Sequence, residues 1–195
     1  MARVKEYGNA ELEEKLRDTN YYTTDSNPQF LEDVKKLSRT AANMCYQCGT
    51  CTGSCPSAPP RSSYRIRLFM RKGVLGLEQE ALNDPDLWLC TTCYSCTDRC
   101  PRDLAPTDVI MAMRNLAFKV DIVPRNFLKT VQLIYNTGHG VPNNDVNRAA
   151  RVKLGLPADP PTTHSYPEFI PGIQKIMDFY KMKENADRIL AEESK

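Results

Sequence analysis

All eight cysteines of this chain fall in two short runs, CYQCGTCTGSCP from Cys45 to Pro56 and CTTCYSCTDRCP from Cys90 to Pro101. In each run the thiols are separated by two, two and three residues, and a proline follows the last. Thiolates so closely spaced suit a cubane iron–sulfur cluster, which needs one ligand at each of its four iron corners. Three neighbouring cysteines wrap one side of the cube, and the fourth ligand arrives from another direction. Structural zinc also takes four cysteines, but typically as two separated C-x2-C pairs rather than one tight run. A redox C-x-x-C pair explains neither the third and fourth cysteines nor the repetition. Disulfides call for an oxidising compartment, and the N-terminus MARVKEYGNAELEEKLRD is charged throughout, without the apolar stretch of a secretory leader. The duplicated pattern points to two 4Fe-4S clusters as the cofactors.

The rest of the composition narrows the function classes. In 195 residues, 26 Lys and Arg nearly balance 24 Asp and Glu, which leaves no global field to hold nucleic acid or an anionic membrane. No run of about 18 apolar residues is present, so no direct membrane insertion is expected, and the expected location is the cytoplasm. Neither His139 nor His164 belongs to an H-E-x-x-H pattern, and no G-x-G-x-x-G, Walker-type or G-x-S-x-G loop occurs. With every cysteine committed to a cluster, no thiol is left as a nucleophile, and no catalytic residue is assigned.

The elements that must position the thiols read as helices. NAELEEKLRD could start one at Asn9, and Asn27 caps a second in which Pro28 takes the first position and Phe30, Leu31, Val34 and Leu37 share a face. Past Pro56, Ser62 or Ser63 can cap a helix carrying Ile66, Leu68, Phe69 and Met70, with Gly73 near its end. A short helix from Asp84–Pro85 leads into Cys90, and Pro106 opens another with Val109, Ile110, Met113, Leu116 and Ala117 as an apolar stripe. Each run thus ends in proline and is followed shortly by a helix, a duplication with pseudo-twofold character. The cysteine-free remainder reads as a helix from Pro124 to Thr137 closed by Gly138, and one capped by Asn144 or Asp145 and stopped by Gly155. A proline-rich loop and one or two terminal helices complete it. No alternating strand pattern appears, so the fold class is all-α. The domain reading is an N-terminal helical segment at 1–44, a two-cluster core at 45–120 and a helical extension for contacts with other subunits at 121–195.

The C-x2-C-x2-C-x3-C-P run resembles that of bacterial ferredoxins, in which the fourth cysteine ligates the other cluster. Carried onto this chain, the resemblance implies that Cys45, Cys48, Cys51 and Cys100 hold one cluster, and that Cys90, Cys93, Cys96 and Cys55 hold the second. The long helical connection from Pro56 to Leu89 resembles instead the α-helical ferredoxin domain of respiratory iron–sulfur proteins, over about residues 28–120. The stretches CYQCGTCTGSCPSAPPRSSYRIRLFMRKG and LWLCTTCYSCTDRCPRDLAPTDVIMAMRNLA are similar to the C subunit of heterodisulfide reductase of methanogenic archaea, in its soluble form. That resemblance implies a non-catalytic electron-transfer protein, relaying electrons from a flavin-containing A subunit to a cysteine-rich catalytic B subunit. The latter reduces the CoM-S-S-CoB heterodisulfide in methanogenesis, and a hydrogenase or formate dehydrogenase associates with the complex. Two other readings stay beside it: a ferredoxin-like subunit of another dehydrogenase, of glycerol-3-phosphate or lactate type, and a structural iron–sulfur scaffold.

Around the clusters, RSSYRIRLFMRK supplies Arg61, Arg65, Arg67, Arg71 and Lys72 with no acidic residue among them. Cations near an anionic cluster favour its reduction; as an exposed face, the same run would dock an acidic partner or simply be solvated. Tyr46, Trp88 and Tyr94 stand beside cysteines, where rings exclude water from a cluster or serve as ordinary core. Gly49, Thr50, Thr92 and Ser95 are small enough to let backbone N–H groups point at sulfur, and equally suit tight turns.

Overall fold

The computed structural model describes residues 26–58 and 64–192. The expected helix from Asn9, and Arg61, Ser62 and Ser63, lie outside the described residues. Among the described residues every regular element is helical, so the chain is all-α. It divides into two compact units, Met1–Ile122 and Val123–Lys195.

The first unit holds both cysteine runs. Helix α1 (Pro28–Ser38) starts as its sequence dictates: Pro28 fills the first turn, and the Asn27 side chain accepts the Gln29 N–H. Phe30 and Val34 are fully buried, but Leu37 is 40% exposed. Ser38, four residues after Val34, takes the buried position instead, its hydroxyl donating to the Val34 carbonyl at 2.6 Å. A single 3-10 turn (Ala42–Met44) then feeds Cys45.

Helix α2 (Thr50–Gly53) lies inside the first run, and α3 (Ile66–Val74) and α4 (Glu78–Leu82) form the connection. A 3-10 turn (Pro85–Leu89), capped by Asp84 accepting from the Asp86 N–H, enters the second run. Helix α5 (Ser95–Asp98) lies within that run, and α6 (Pro106–Lys119) follows it. Helix α6 is the central element: α1, α3, α4 and α5 all pack on it. Its buried stripe of Val109, Ile110, Met113 and Ala117 meets Phe30, Val34, Phe69 and Met70 in one core. Each such fully buried aliphatic or aromatic side chain stabilises the unit by about 1.5–3 kcal/mol before entropy is counted. Helices α3 and α6 approach so closely that a Cβ on Gly73 would meet Met113 Cε at 2.8 Å.

The turn after α3 depends on Gly76, whose φ is +69. Its carbonyl accepts the Asn27 N–H at 2.8 Å, and a Cβ there would lie 2.5 Å from the Asn27 carbonyl oxygen. The cap of α1 and the exit of α3 are therefore one joint.

The second unit contains α7 (Arg125–Thr137), α8 (Asp145–Lys153), a 3-10 turn (Pro167–Phe169), α9 (Ile170–Phe179) and α10 (Met182–Glu192). Helix α7 ends in Gly138 at φ +67, whose N–H donates to the Ile134 carbonyl, and Asn144 caps α8 by accepting the Asn147 N–H. Helices α9 and α10 pack against α7 around Leu128, Met177, Ala186 and Ile189. Gln132 donates to Asp187 at 2.6 Å, and Asp187 also pairs with Lys183. Among the described residues, no helix is long and apolar enough to cross a membrane.

Candidate iron–sulfur site

The two cysteine runs fold alike, residue for residue. In the first, Gln47 and Gly49 take positive φ (63 and 86), and in the second Thr92 and Tyr94, at the same places, do so too (53 and 62). Left-handed residues on either side of the second cysteine curl the run around one point, which is what three thiols on one small body require. A one-turn helix follows in each, α2 behind Gly49 and α5 behind Tyr94. The N–H groups of Cys55 and Cys100 then donate to the carbonyls of Thr52 and Thr97, both at 3.2 Å. Burial repeats as well: Cys45 and Cys90 are half-buried, Cys48 and Cys93 exposed, Cys51 and Cys96 buried.

Threonine ties each run to the helix after it. Thr52 Oγ1 accepts the backbone N–H of Arg67, at the start of α3, at 3.0 Å. Thr97 Oγ1 donates to Thr107 Oγ1, at the start of α6, at 3.3 Å. The Thr107 hydroxyl is also 3.1 Å from Cys96 Sγ.

The fold then crosses the two runs. Cys45, Cys48 and Cys51 line one cavity together with Cys100, the last thiol of the other run. Gln47, Gly49, Arg67, Met70, Pro101, Leu104 and Pro106 complete its wall. Helix α2 packs on α5, and Cys96 adds to the upward push on the Cys51 thiol. Cys90 and Cys55, again one from each run, pack in the same core as Tyr64. All eight cysteines are free thiols, and among the described residues no three His, Cys, Asp or Glu side chains converge on the position of a single metal ion. A set of thiols spread around a cavity whose wall is partly apolar, through Met70, Pro101, Leu104 and Pro106, fits an iron–sulfur cluster.

Local donors already address these sulfurs. The Gln47 amide donates to Cys45 Sγ at 3.4 Å, and the Thr92 N–H to Cys90 Sγ at 3.4 Å. Cys48 Sγ is 3.4 Å from Thr50 Oγ1, and Cys93 Sγ is 3.5 Å from Ser95 Oγ. These hydroxyl contacts hold the Cys48 and Cys93 thiols below the ordinary range. Burial does the reverse to Cys51, pushing it up to about 11, and to Cys96.

A 4Fe-4S dicluster domain model matches residues 40–104, which span both runs and the helices between them. The iron–sulfur C subunit of CoB–CoM heterodisulfide reductase from Methanopyrus kandleri is 44% identical over 169 residues, covering 83% of this chain and 88% of that protein. The chain belongs to the family of heterodisulfide reductase C subunits. The C subunit of the H2:CoB-CoM heterodisulfide, ferredoxin reductase of Methanothermobacter marburgensis is 44% identical over 149 residues, covering 76% and 80% of the two chains. The C subunit of the ferredoxin:CoB-CoM heterodisulfide reductase of Methanosarcina mazei is 36% identical over 144 residues, covering 73% and 87%. As a dicluster protein of this family, the chain carries two 4Fe-4S clusters.

Two expectations for the surroundings change. Tyr46 and Tyr94 are 58% and 45% exposed, so neither ring is core; the Tyr94 hydroxyl reaches Asp108 on α6 at 3.3 Å instead. The basic run is not one continuous face. Lys72 turns inward to pair with Asp84 at 2.6 Å and to donate to the Glu80 carbonyl, whereas Arg67 stands on the wall of the cysteine cavity. Trp88 is half-buried and carries the Arg114 guanidinium 5.5 Å from its ring centre.

Arg114 and Tyr64 are residues that sequence reasoning passed over. Arg114, buried on α6, donates to the Leu87 carbonyl at 3.0 Å and to the Cys90 carbonyl at 2.8 Å, so it pins the entry to the second run. Nothing about an arginine after an apolar stripe marks it for this role. Tyr64 is fully buried, with its ring 6.1 Å from that of Phe69, and its hydroxyl has no hydrogen-bond partner among the described residues. A buried hydroxyl left unpaired costs about 1–3 kcal/mol.

Proposed function

We propose that this chain is the electron relay between a flavin-containing protein and the catalytic protein that reduces the CoB–CoM heterodisulfide. The observation that carries the reading is the meeting of Cys100 with Cys45, Cys48 and Cys51 around one cavity. On this reading those four thiolates hold the first cluster, and Cys90, Cys93, Cys96 and Cys55 hold the second. Each cluster, when bound, supplies a centre that takes up and gives back one electron.

The protein's own contributions follow from its residues. Met70, Pro101, Leu104 and Pro106 exclude water from the first site, and Arg67 sets a positive charge on its wall. Donors from Gln47 and Thr92 offset charge on the sulfurs of Cys45 and Cys90. Crossing the fourth ligands, with α2 packed on α5, keeps the two centres close, as transfer between them requires. With all thiols committed, disulfide cleavage falls to another polypeptide.

The partners on this reading are the A subunit of heterodisulfide reductase, with flavin and iron–sulfur groups, and the catalytic, cysteine-rich B subunit. A hydrogenase or formate dehydrogenase joins them, all in the cytoplasm. Residues 121–195 serve as the extension for contacts with these partners; exposed Phe169, Ile176 and Phe179 there give it apolar surface to bury. Anaerobic purification of the tagged chain from its own cells, with its partners identified, tests the assignment. Recovery of a flavoprotein and a cysteine-rich protein, with electrons passing through dithionite-reducible clusters, is the expected result. Recovery of a glycerol-3-phosphate or lactate dehydrogenase would overturn it, and clusters that resist reduction would reduce the chain to a scaffold.

A further inference from the structure

Tyr64 combines three features that no structural role accounts for together. It is fully buried, its hydroxyl is unpaired among the described residues, and it packs in one core with Cys55 and Cys90, thiols of the two different runs. A phenol needed only for packing would be better served by phenylalanine, which fills the same space beside Phe69 without a donor to satisfy. Cys90 and Cys55 pack in that core and are the thiols that act on the hydroxyl. A phenol carries its proton at neutral pH and is available as a donor. A cluster held by these thiols would supply sulfur as its acceptor.

We propose that the Tyr64 hydroxyl donates a hydrogen bond to a sulfur of the cluster shared by Cys90 and Cys55, and so raises the reduction potential of that cluster relative to its neighbour. The proposal rests on the crossed ligand sets advanced above. A hydrogen bond to sulfur stabilises the more electron-rich reduced state more than the oxidised one, which is how such donors set potentials. The matching donors differ between the halves. The first site has the Gln47 side-chain amide on Cys45 and Arg67 on its wall, whereas the second has a backbone N–H on Cys90 and, on this inference, a phenol buried beneath it. Tyr64 thus biases where an electron rests in a chain whose two halves are otherwise near copies. It is a positioning and tuning residue, with no part in any bond that breaks.

The test is a redox titration of the anaerobically purified holoprotein, followed by EPR, on the wild type, Tyr64→Phe, Cys55→Ser and Cys90→Ser. The two serine variants identify the second cluster as the one whose spectrum both of them alter. Tyr64→Phe is expected to make reduction of that cluster about tenfold less favourable, equivalent to ~59 mV for one electron, and to leave the other cluster unchanged. Unshifted potentials in Tyr64→Phe, with both serine variants altering one common cluster, would overturn this proposal and leave the crossed ligand sets standing. Serine variants that alter different clusters would overturn both. Should Tyr64→Phe fail to fold, incorporation of meta-fluorinated tyrosine at position 64 keeps the ring and strengthens the donor. The second cluster must then shift upward, in the direction opposite to any loosening of the site, and the absence of an upward shift counts against the proposal.

Discussion

Cys100 ends the second cysteine run, yet it stands on the same cavity wall as Cys45, which opens the first. On the crossed reading, neither run completes its own site. The helices that bring the two residues together are α2 and α5, packed on each other, with α6 beneath.

Arg114 holds the carbonyls of Leu87 and Cys90 from the buried side of α6. Arg114→Met keeps much of the apolar stem and removes the donors, so both carbonyls lose a charge-assisted partner. The expected loss is about 1.5–3 kcal/mol per such bond at most, read as a lower anaerobic melting temperature. Faster bleaching of cluster absorbance should accompany it. Unchanged melting and bleaching would show that the guanidinium is not what fixes the entry to the second run.

Gly76 joins the cap of α1 to the exit of α3. Alanine there meets both an unfavourable φ of +69 and the Asn27 carbonyl oxygen at 2.5 Å. Gly76→Ala should cost more than about 1 kcal/mol, seen as a lower denaturation midpoint with an unaltered EPR spectrum of whatever protein stays folded. Gly155 has φ +72 but open space around it, so Gly155→Ala should cost less. Equal costs at the two sites would mean that the close approach to Asn27 contributes nothing.

Helix ends and cysteine runs were legible in the sequence because their causes are local. Asn27 before Pro28, Pro106, Gly138 and Asn144 each act on the next turn of chain, and each marks the element the structure shows. What stayed hidden is tertiary. Tyr64 and Arg114 look like any tyrosine and arginine until α6 carries Arg114 back to Cys90 and the chain between the runs buries Tyr64. Helix α4 has no side-chain cap and five residues, too few to show a period. Lys72 could be read as surface charge because its partner, Asp84, belongs to the turn after α4.

Cluster binding takes thiolates, and before it Cys51 is a thiol, pushed up to about 11 by burial. Its folded-state value lies above the ordinary one, so this contribution to the stability of the apo chain is intact below about pH 9 and is lost as pH rises toward 11. Cluster insertion must expel the proton, so assembly releases protons and is favoured by higher pH. Anaerobic reconstitution with iron and sulfide should go further at about pH 8.5 than at about pH 6.5. A yield that does not change with pH would show that Cys51 is already ionised in the apo chain.

The crossed sites are tested most directly by EPR of the dithionite-reduced Cys100→Ser protein, compared with Cys45→Ser and Cys90→Ser as markers of the two clusters. The account predicts that Cys100→Ser alters the same cluster as Cys45→Ser and spares the one altered by Cys90→Ser. If Cys100→Ser instead alters the cluster marked by Cys90→Ser, each run holds its own cluster and the account is contradicted.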